Sequence, residues 1–342
     1  MALIAVIGSL VVDMAMKTPR VPAPGDNVHA HHFTMGAGGK GANSAVAIVR
    51  LGGRALLVGC VGDDLLGQFE LDALQREGVD TRDVIRVPGW STAVAFIMVD
   101  ENGENAVLVA NRTNETLTGA AVEACLEPHW DTLDAVLVNF EASEAAVRTA
   151  VEQGRAHGVP VIVDAGPAMG YGPATWSRAT VLTPNLKEAE ALTGHPLPDD
   201  SSAGRAARAL LEHGPAAVVI KQGNRGALAV TRDRCWRVPA FAVNAVDMTG
   251  AGDAFTAAMA LALAEGETLQ VATRRAVAAG AVAVTRFGTL TAMPSRAEVE
   301  DLLARTSAGR SADQVPTDDE PERWPPDPTG DERAGIQGGP TP

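Results

Sequence analysis

The chain has 342 residues, of which 46% are hydrophobic, so it can bury a sizeable core and a wholly disordered chain is excluded. A formal charge of −14 and a calculated pI near 4.9 argue against a nucleic-acid partner, because most of the surface would repel the phosphate backbone. Cys60, Cys125 and Cys235 are scattered without CxxC spacing, which fits a reducing cytosol and offers neither a disulfide framework nor a zinc site.

The opening MALIAVIGSLVVDMAM is apolar but holds Gly8 and Asp13 and lacks a basic region or a cleavage site, so it reads as a buried strand entering a turn. No apolar run reaches the roughly 18 residues of a membrane span, and a soluble, cytoplasmic protein is expected. From Val11 to Met35, short alternations broken by Pro19, Pro22, Pro24 and Gly25 suggest strands of a small peripheral sheet. Gly36 to Gly41 is a glycine-rich turn, and Asn43 to Arg50 starts a helix. Arg54 to Val58 predicts a strand and Leu65 to Gly78 a helix. Thr92–Val99, the Asn102-Gly103 pair and Asn105–Ala110 carry a hairpin signature, placed in the same peripheral sheet.

Beyond Asp134, strands and helices alternate regularly. Strands are expected at 135–138, 159–163, 180–182, 217–220 and 228–230, and helices near 142–157, 186–193, 201–213, 252–265 and 268–284. Such alternation predicts a mainly parallel sheet with helices on both faces and a ligand at the carboxyl ends of the strands. After about Thr306 the composition turns to proline and acid around Trp324, which reads as a disordered acidic tail over 306–342, with a short docking element at Trp324 as the alternative.

The run DMTGAGDAF is the most informative segment. Gly250, Ala251 and Gly252 form a turn that presents Asp253 at the head of an alanine-rich helix. Bare amides at a helix start can take phosphate oxygens while a carboxylate accepts a proton, which is the demand of phosphoryl transfer. Glycine at such a junction can also serve the turn alone.

With GAGGKGANSAVAIVRLGG early and NAVDMTGAGDAFTAAMALAL late, the chain resembles the ribokinase-like, or PfkB, family of carbohydrate and nucleoside kinases from about Leu3 to Leu303. The resemblance implies a three-layer α/β/α kinase domain over 1–305, with a β-sheet lid drawn from about 11–35 and 92–110. It implies ATP-dependent phosphorylation of a primary hydroxyl of a small sugar, ribose to ribose 5-phosphate in the first place, with a nucleoside kinase of the same fold as the alternative. By the same resemblance Asp253 is the base and the GAGD amides are the anion hole.

Asp13, Gly39, Lys40, Asn43 and Glu141 match the family's sugar contacts. Lys40 in solvent at a plain helix entry, Asp13 ending a strand and Glu141 capping a helix are the structural alternatives. GAGGKGAN is not a Walker A sequence, lacking both its spacing and the hydroxyl after lysine. The departure is Val11, where typical ribokinases carry an asparagine that binds the sugar; an apolar branch weakens discrimination against ligands lacking the matching hydroxyl. In the nucleoside alternative the base would lie near Val11, Phe96 or Met98.

Asn185 and Glu188 in TPNLKEAEALTG match the motif that supports Mg²⁺ and triphosphate through water, and could equally be a helix cap and a surface acid. Lys221, Gly223 and Gly226 in VVIKQGNRGALAV resemble the family's ATP-site turn, or an ordinary hairpin. An adenine pocket is expected near Ala278 to Val282. Asp247, Thr249 and Gly288 match the loops that hold K⁺ in ribokinases, with Ala292 where a serine is usual.

His29 and His31 would share one face of a strand, but without a third ligand they do not make a zinc site. A homodimer through paired lids is the implied assembly. A non-catalytic sugar sensor would have no need of Asp253 beside its anion hole, and a dinucleotide dehydrogenase is disfavoured because GAGGKG is misplaced for that fingerprint.

Overall fold

The computed structural model describes residues 1–102, 104–197 and 200–308. Thirteen strands run in chain order: β1 (Leu3–Ile7), β2 (Val11–Lys17), β3 (His32–Gly38), β4 (Arg54–Gly62), β5 (Val84–Val87), β6 (Val94–Val99), β7 (Asn105–Ala110), β8 (Ala135–Asn139), β9 (Val161–Asp164), β10 (Val181–Leu182), β11 (Ala217–Lys221), β12 (Ala227–Thr231) and β13 (Cys235–Val238). The helices are α1 (Lys40–Arg50), α2 (Leu65–Arg76), α3 (Arg112–Glu115), α4 (Gly119–Leu126), α5 (Glu144–Ala156), α6 (Pro173–Trp176), α7 (Leu186–Thr193), α8 (Asp200–Glu212), α9 (Ala251–Ala264), α10 (Leu269–Ala283) and α11 (Arg296–Ala308).

Nine strands form the main sheet in the order β13-β12-β11-β10-β9-β8-β1-β4-β5. All neighbours are parallel except the β11-β12 and β12-β13 pairs. The central strands are nearly continuous apolar runs because both faces are covered. In β1, Ala5 and Ile7 enter one core with Val136, Val138 and Trp176, while Ile4 and Val6 enter the other with α1 and α9. Each fully buried isoleucine there contributes roughly 1.5–3 kcal/mol. The three-layer expectation is met, and all parallel strands end on one edge, where β8, β9 and β11 deliver Asn139, Asp164 and Lys221.

The peripheral sheet is four-stranded, in the order β3-β2-β6-β7, with β2-β3 and β6-β7 antiparallel and β2-β6 parallel. It leaves the core through Gly8, Ser9 and Leu10. Asn114 clamps that crossing as a strand would: its Oδ1 accepts from Leu10 N at 3.0 Å and its Nδ2 donates to Leu10 O at 3.0 Å. One face carries Val11, Asp13 and Ala95 toward the site; the other exposes Phe33, Met35, Phe96 and Leu108.

Strand β3 runs through Gly38 and α1 starts at Lys40, so the glycine-rich segment is a strand end and a one-residue turn, shorter than the loop expected. The edge strands β5 and β13 and helices α4 and α11 were not among the expected elements; short edge strands carry little periodic signal. His29 and His31 precede β3 and do not share a strand face; His31 meets Glu101 at 3.5 Å. Gly103 of the expected Asn102-Gly103 turn, and residues 309–342 with Trp324, lie outside the described residues.

Candidate active site

A cavity of about 820 Å³ opens at the carboxyl edge of the main sheet, under the peripheral sheet. It is lined by Val11, Asp13, Gly39, Lys40, Asn43 and Glu141 at one end, and by Asn185, Glu188, Lys221, Gly223 and Gly226 at the other. Thr249, Gly250, Ala251, Gly252 and Asp253 lie between. Residues spread over 240 positions of sequence therefore share one chamber because consecutive strands all release the chain at the same edge.

Asp253 sits in the first turn of α9 and is buried. The residue capping the helix is Gly250, with φ 75° and no side chain to meet the amides behind it. Ala251 N leans on Met248 O at 3.4 Å. An N-terminus left open in this way favours an anion. Asn43 Nδ2 donates to Asp253 Oδ2 at 2.8 Å and Lys40 Nζ to Asp253 Oδ1 at 2.9 Å, so α1 orients the carboxylate of α9.

Lys40 also reaches Asp164 Oδ2 at 3.4 Å, and Lys221 donates to Asp164 Oδ1 at 2.6 Å and lies 3.7 Å from Glu188. Burial disfavours charge on Lys40, but Asp164 and Asp253 outweigh it and hold the ammonium well above its ordinary range. The two lysines likewise hold the Asp164 carboxyl below the usual carboxylate range against its burial. The result is a partly buried bridge of alternating charge from the Asp253 end of the cavity to Lys221.

Asp13 projects from β2 and accepts from Thr289 Oγ1 at 3.0 Å. Burial pushes its carboxyl up to about 6, with Thr289 opposing and the negative charges of Glu141 and Asp253 adding to the rise. Glu141 follows β8; it receives the Ser9 hydroxyl in a short hydrogen bond, and Lys40 N donates to it at 3.2 Å. It caps no helix, since Ser143 takes that role for α5.

Asn185 and Glu188 form a reciprocal capping box on α7, with Asn185 N donating to Glu188 Oε2 at 2.7 Å and Glu188 N to Asn185 Oδ1 at 2.9 Å. Glu188 is nonetheless buried and faces the cavity, so capping and site are built from one carboxylate. Burial raises it, and Lys221 draws it back. Gly226, with φ 87°, is required by the fold itself: a Cβ there would lie 2.0 Å from Val238 O.

Asp247 and Gly288 stand behind the lining. Asp247 Oδ2 accepts from Gly288 N at 3.0 Å and its Oδ1 from Thr249 N and Oγ1, which ties two loops together around one anionic group. Phe96 and Met98 do not line the cavity, contrary to the place expected for a nucleoside base. Strand alternation turns Ala95 inward, and Phe96 is 37% exposed on the opposite face.

Asp164, Ser9 and Thr289 were missed by the sequence reading. Asp164 had a usable signal, an acid ending the buried run VIVD. Ser9 and Thr289 had none, because their roles exist only through partners 132 and 276 residues away.

A model of the pfkB family carbohydrate kinases matches residues 1–296. Ribokinase of Bacillus subtilis is 36% identical over 301 residues, covering 88% of this chain and 99% of that protein. Deoxyribokinase of Salmonella typhi is 34% identical over 302 residues, covering 88% of this chain and 98% of that protein. Among solved structures, Arabidopsis thaliana ribokinase complexed with ribose and ATP superposes with a TM-score of 0.81 at 28% identity, covering 88% of this chain and 98% of that one.

Proposed function

The chain belongs to the pfkB family of carbohydrate kinases, and we propose that within it the protein phosphorylates the primary hydroxyl of a pentose, ribose to ribose 5-phosphate, with 2-deoxyribose accepted alongside. The family makes it an ATP-dependent sugar kinase. The observation that carries the acceptor reading is the polar end of the cavity, where Asp13, Asn43, Lys40 and Glu141 converge within reach of Asp253. Two carboxylates accept sugar hydroxyls, and the lysine and amide donate to others. Val11 adds a small apolar wall beside them, which lowers the cost of a missing hydroxyl.

In the reaction, Asp253 takes the proton of the attacking hydroxyl as its oxygen forms a bond to the γ-phosphorus and the bond to the departing ADP oxygen breaks. The open amides of Gly252 and Asp253 meet the charge on the transferring group. Asn43 and Lys40 keep the Asp253 carboxylate aimed. Closure of the peripheral sheet excludes water and limits ATP hydrolysis.

The donor sets suit hard cations. Glu188 and Asn185 have their inner hydrogen bonds filled by each other, which fits contact with Mg²⁺ through water; that ion would neutralise phosphate charge. Asp247 is held ionised, below the usual range, by the donors of Thr249 and Gly288 despite partial burial, and its two loops suit a K⁺ ion whose charge would strengthen the anion hole. The exposed apolar face bearing Phe33, Met35, Phe96 and Leu108 supports a homodimer through the lids. Cytoplasmic residence accords with the unpaired cysteines, and no helix among the described residues is long and apolar enough to cross a membrane.

The test is a phosphorylation screen of pentoses, hexoses and nucleosides with ATP and Mg²⁺, with and without K⁺. Pentose turnover is expected to exceed that of hexoses and nucleosides. Efficient turnover of a nucleoside with inactive ribose and deoxyribose would overturn the reading.

A further inference from the structure

Behind the acceptor end lies a carboxylic acid that the reaction does not use. Glu70, in the middle of α2, is completely buried. Its Oε1 accepts from Gly38 N at 3.2 Å, and its Oε2 is buried without a hydrogen-bond partner among the described residues. Gly38 ends β3, opposite Val11, and immediately precedes Gly39 and Lys40. On its cavity side Gly38 is packed against Asp13, so that a Cβ at this position would lie 2.6 Å from Asp13 Oδ2 and 3.3 Å from Thr289 Oγ1. The same short segment is thus gripped by Glu70 from the helix side and lies against the sugar-binding carboxylate on the other.

An apolar side chain would fill this position on α2 at less cost. A carboxyl with one long hydrogen bond and one orphaned oxygen is an expensive group to bury. Burial pushes Glu70 well above the usual carboxylate range, the Gly38 amide opposes only in part, and the charge of Asp13 adds to the rise. Burial and the neighbouring Asp13 charge both therefore work against a second negative charge at this place.

We propose that Glu70 is a positioning residue for the acceptor: its carboxyl fixes the Gly38 amide and so sets the β3-to-α1 turn against Asp13. The inference rests on the reading of this end of the cavity as the pentose site. It makes Glu70 a sacrifice of stability for geometry, and that gives it a signature that a merely structural residue lacks.

The experiment compares E70M and E70Q with the wild type, in the full chain, for KM of ribose and 2-deoxyribose, kcat and Tm. E70M should raise pentose KM about ten-fold, the loss expected for one hydrogen bond in the supporting turn, with kcat changed less than about two-fold and Tm within about 5 °C of wild type, since the relief of a buried carboxyl offsets the orphaned Gly38 amide. E70Q retains an acceptor for Gly38 and should stay within about three-fold of the wild-type KM. Unchanged pentose KM in E70M, a fall in Tm and kcat in proportion to the rise in KM, or an E70Q as impaired as E70M would overturn the proposal. Should E70M not fold, the wild type decides: the Gly38 amide should exchange at least about ten-fold more slowly than an unprotected glycine amide, and free exchange sinks the idea. D13N separates the two readings. Weakened pentose binding in D13N with intact binding in E70M overturns the role of Glu70 alone, whereas intact binding in both overturns the acceptor site and Glu70 with it.

Discussion

The two ends of the cavity are built on different plans. At the acceptor end the lining is made of charged and amide side chains, each held by a second residue: Asp13 by Thr289, Glu141 by Ser9, Asp253 by Lys40 and Asn43. At the far end the wall is mostly small and apolar, with Ala240, Ala242, Val243, Ala245, Val277, Gly280, Ala281 and Val284 beside the larger Phe241 and Met248, and with Lys221 and Glu188 marking its inner limit. Side chains that hydrogen-bond a ligand discriminate steeply, because an absent partner leaves a buried polar group unsatisfied; small apolar walls discriminate by shape and leave hydrogen bonding to the backbone. Substitutions at the acceptor end should therefore act on chemistry and sugar choice, and those at the far end on nucleotide affinity and folding.

The largest effect is expected where both ends meet. D253N keeps the size of the side chain and removes the proposed base, so kcat should fall about 10³-fold with nucleotide affinity near wild type. A variant with more than a tenth of wild-type kcat would show that the proton leaves by another route and would break the division.

Next comes D13N, which should raise sugar KM about 10²-fold while leaving the KM for ATP within about two-fold. Because burial lifts the Asp13 carboxyl to about 6, wild-type kcat/KM for sugar should fall as pH drops through that value, and D13N should flatten the limb. The linkage has a definite sign. The folded-state value lies above the ordinary aspartate value of 3.8, so the ligand-free protein holds this proton more tightly than the unfolded chain does. That contribution to stability is fully present below about 3.8 and is lost as pH rises through about 6. D13N should accordingly raise Tm at pH 7.5 and not at pH 3.5, the gain being on the order of 2 kcal/mol. A lower Tm for D13N at pH 7.5 would show that Asp13 is held mainly by structural bonds.

How much of this was legible in the sequence follows the same division. The GAGD turn, the alternation beyond Asp134 and the acids and amides of the acceptor end are written in residue identity, because helix entry, parallel strands and hydroxyl recognition each demand particular residue types. The partners are not. Asp164 joins Lys40 to Lys221 only because β9 lies between β8 and β10, and Thr289 meets Asp13 only because a loop after α10 returns beneath the lid. Only the nucleoside alternative places a base near Val11, Phe96 or Met98; the register that turns Ala95 rather than Phe96 inward is set by pairing with β2, which periodicity in one strand does not reveal. The far wall is nearly silent, since alanine and glycine are used there for close packing as well as for access.

A moderate effect is expected at that silent wall. Gly226 has φ 87° and would press a Cβ onto Val238 O, so G226A should cost about 1–3 kcal/mol of stability and loosen the β11-β12 turn beside Lys221. Denaturant titration should register the loss, with KM for ATP rising several-fold and sugar affinity unchanged. Equal damage to sugar affinity would mean that the two ends are not separable.

The smallest and most diagnostic change is at Val11, which is 4% exposed and packs with Ala93 and Ala95 under the lid. V11N puts a donor and an acceptor into a place that now has neither. Without a ligand hydroxyl to meet it, the new amide would be buried with unfilled bonds, so binding should favour the sugar that supplies one. The ratio of kcat/KM for ribose over 2-deoxyribose should rise about ten-fold, through loss with deoxyribose as much as gain with ribose. An unchanged ratio would remove Val11 from the hydroxyl-reading surface and leave sugar choice to Asp13 and Glu141 alone.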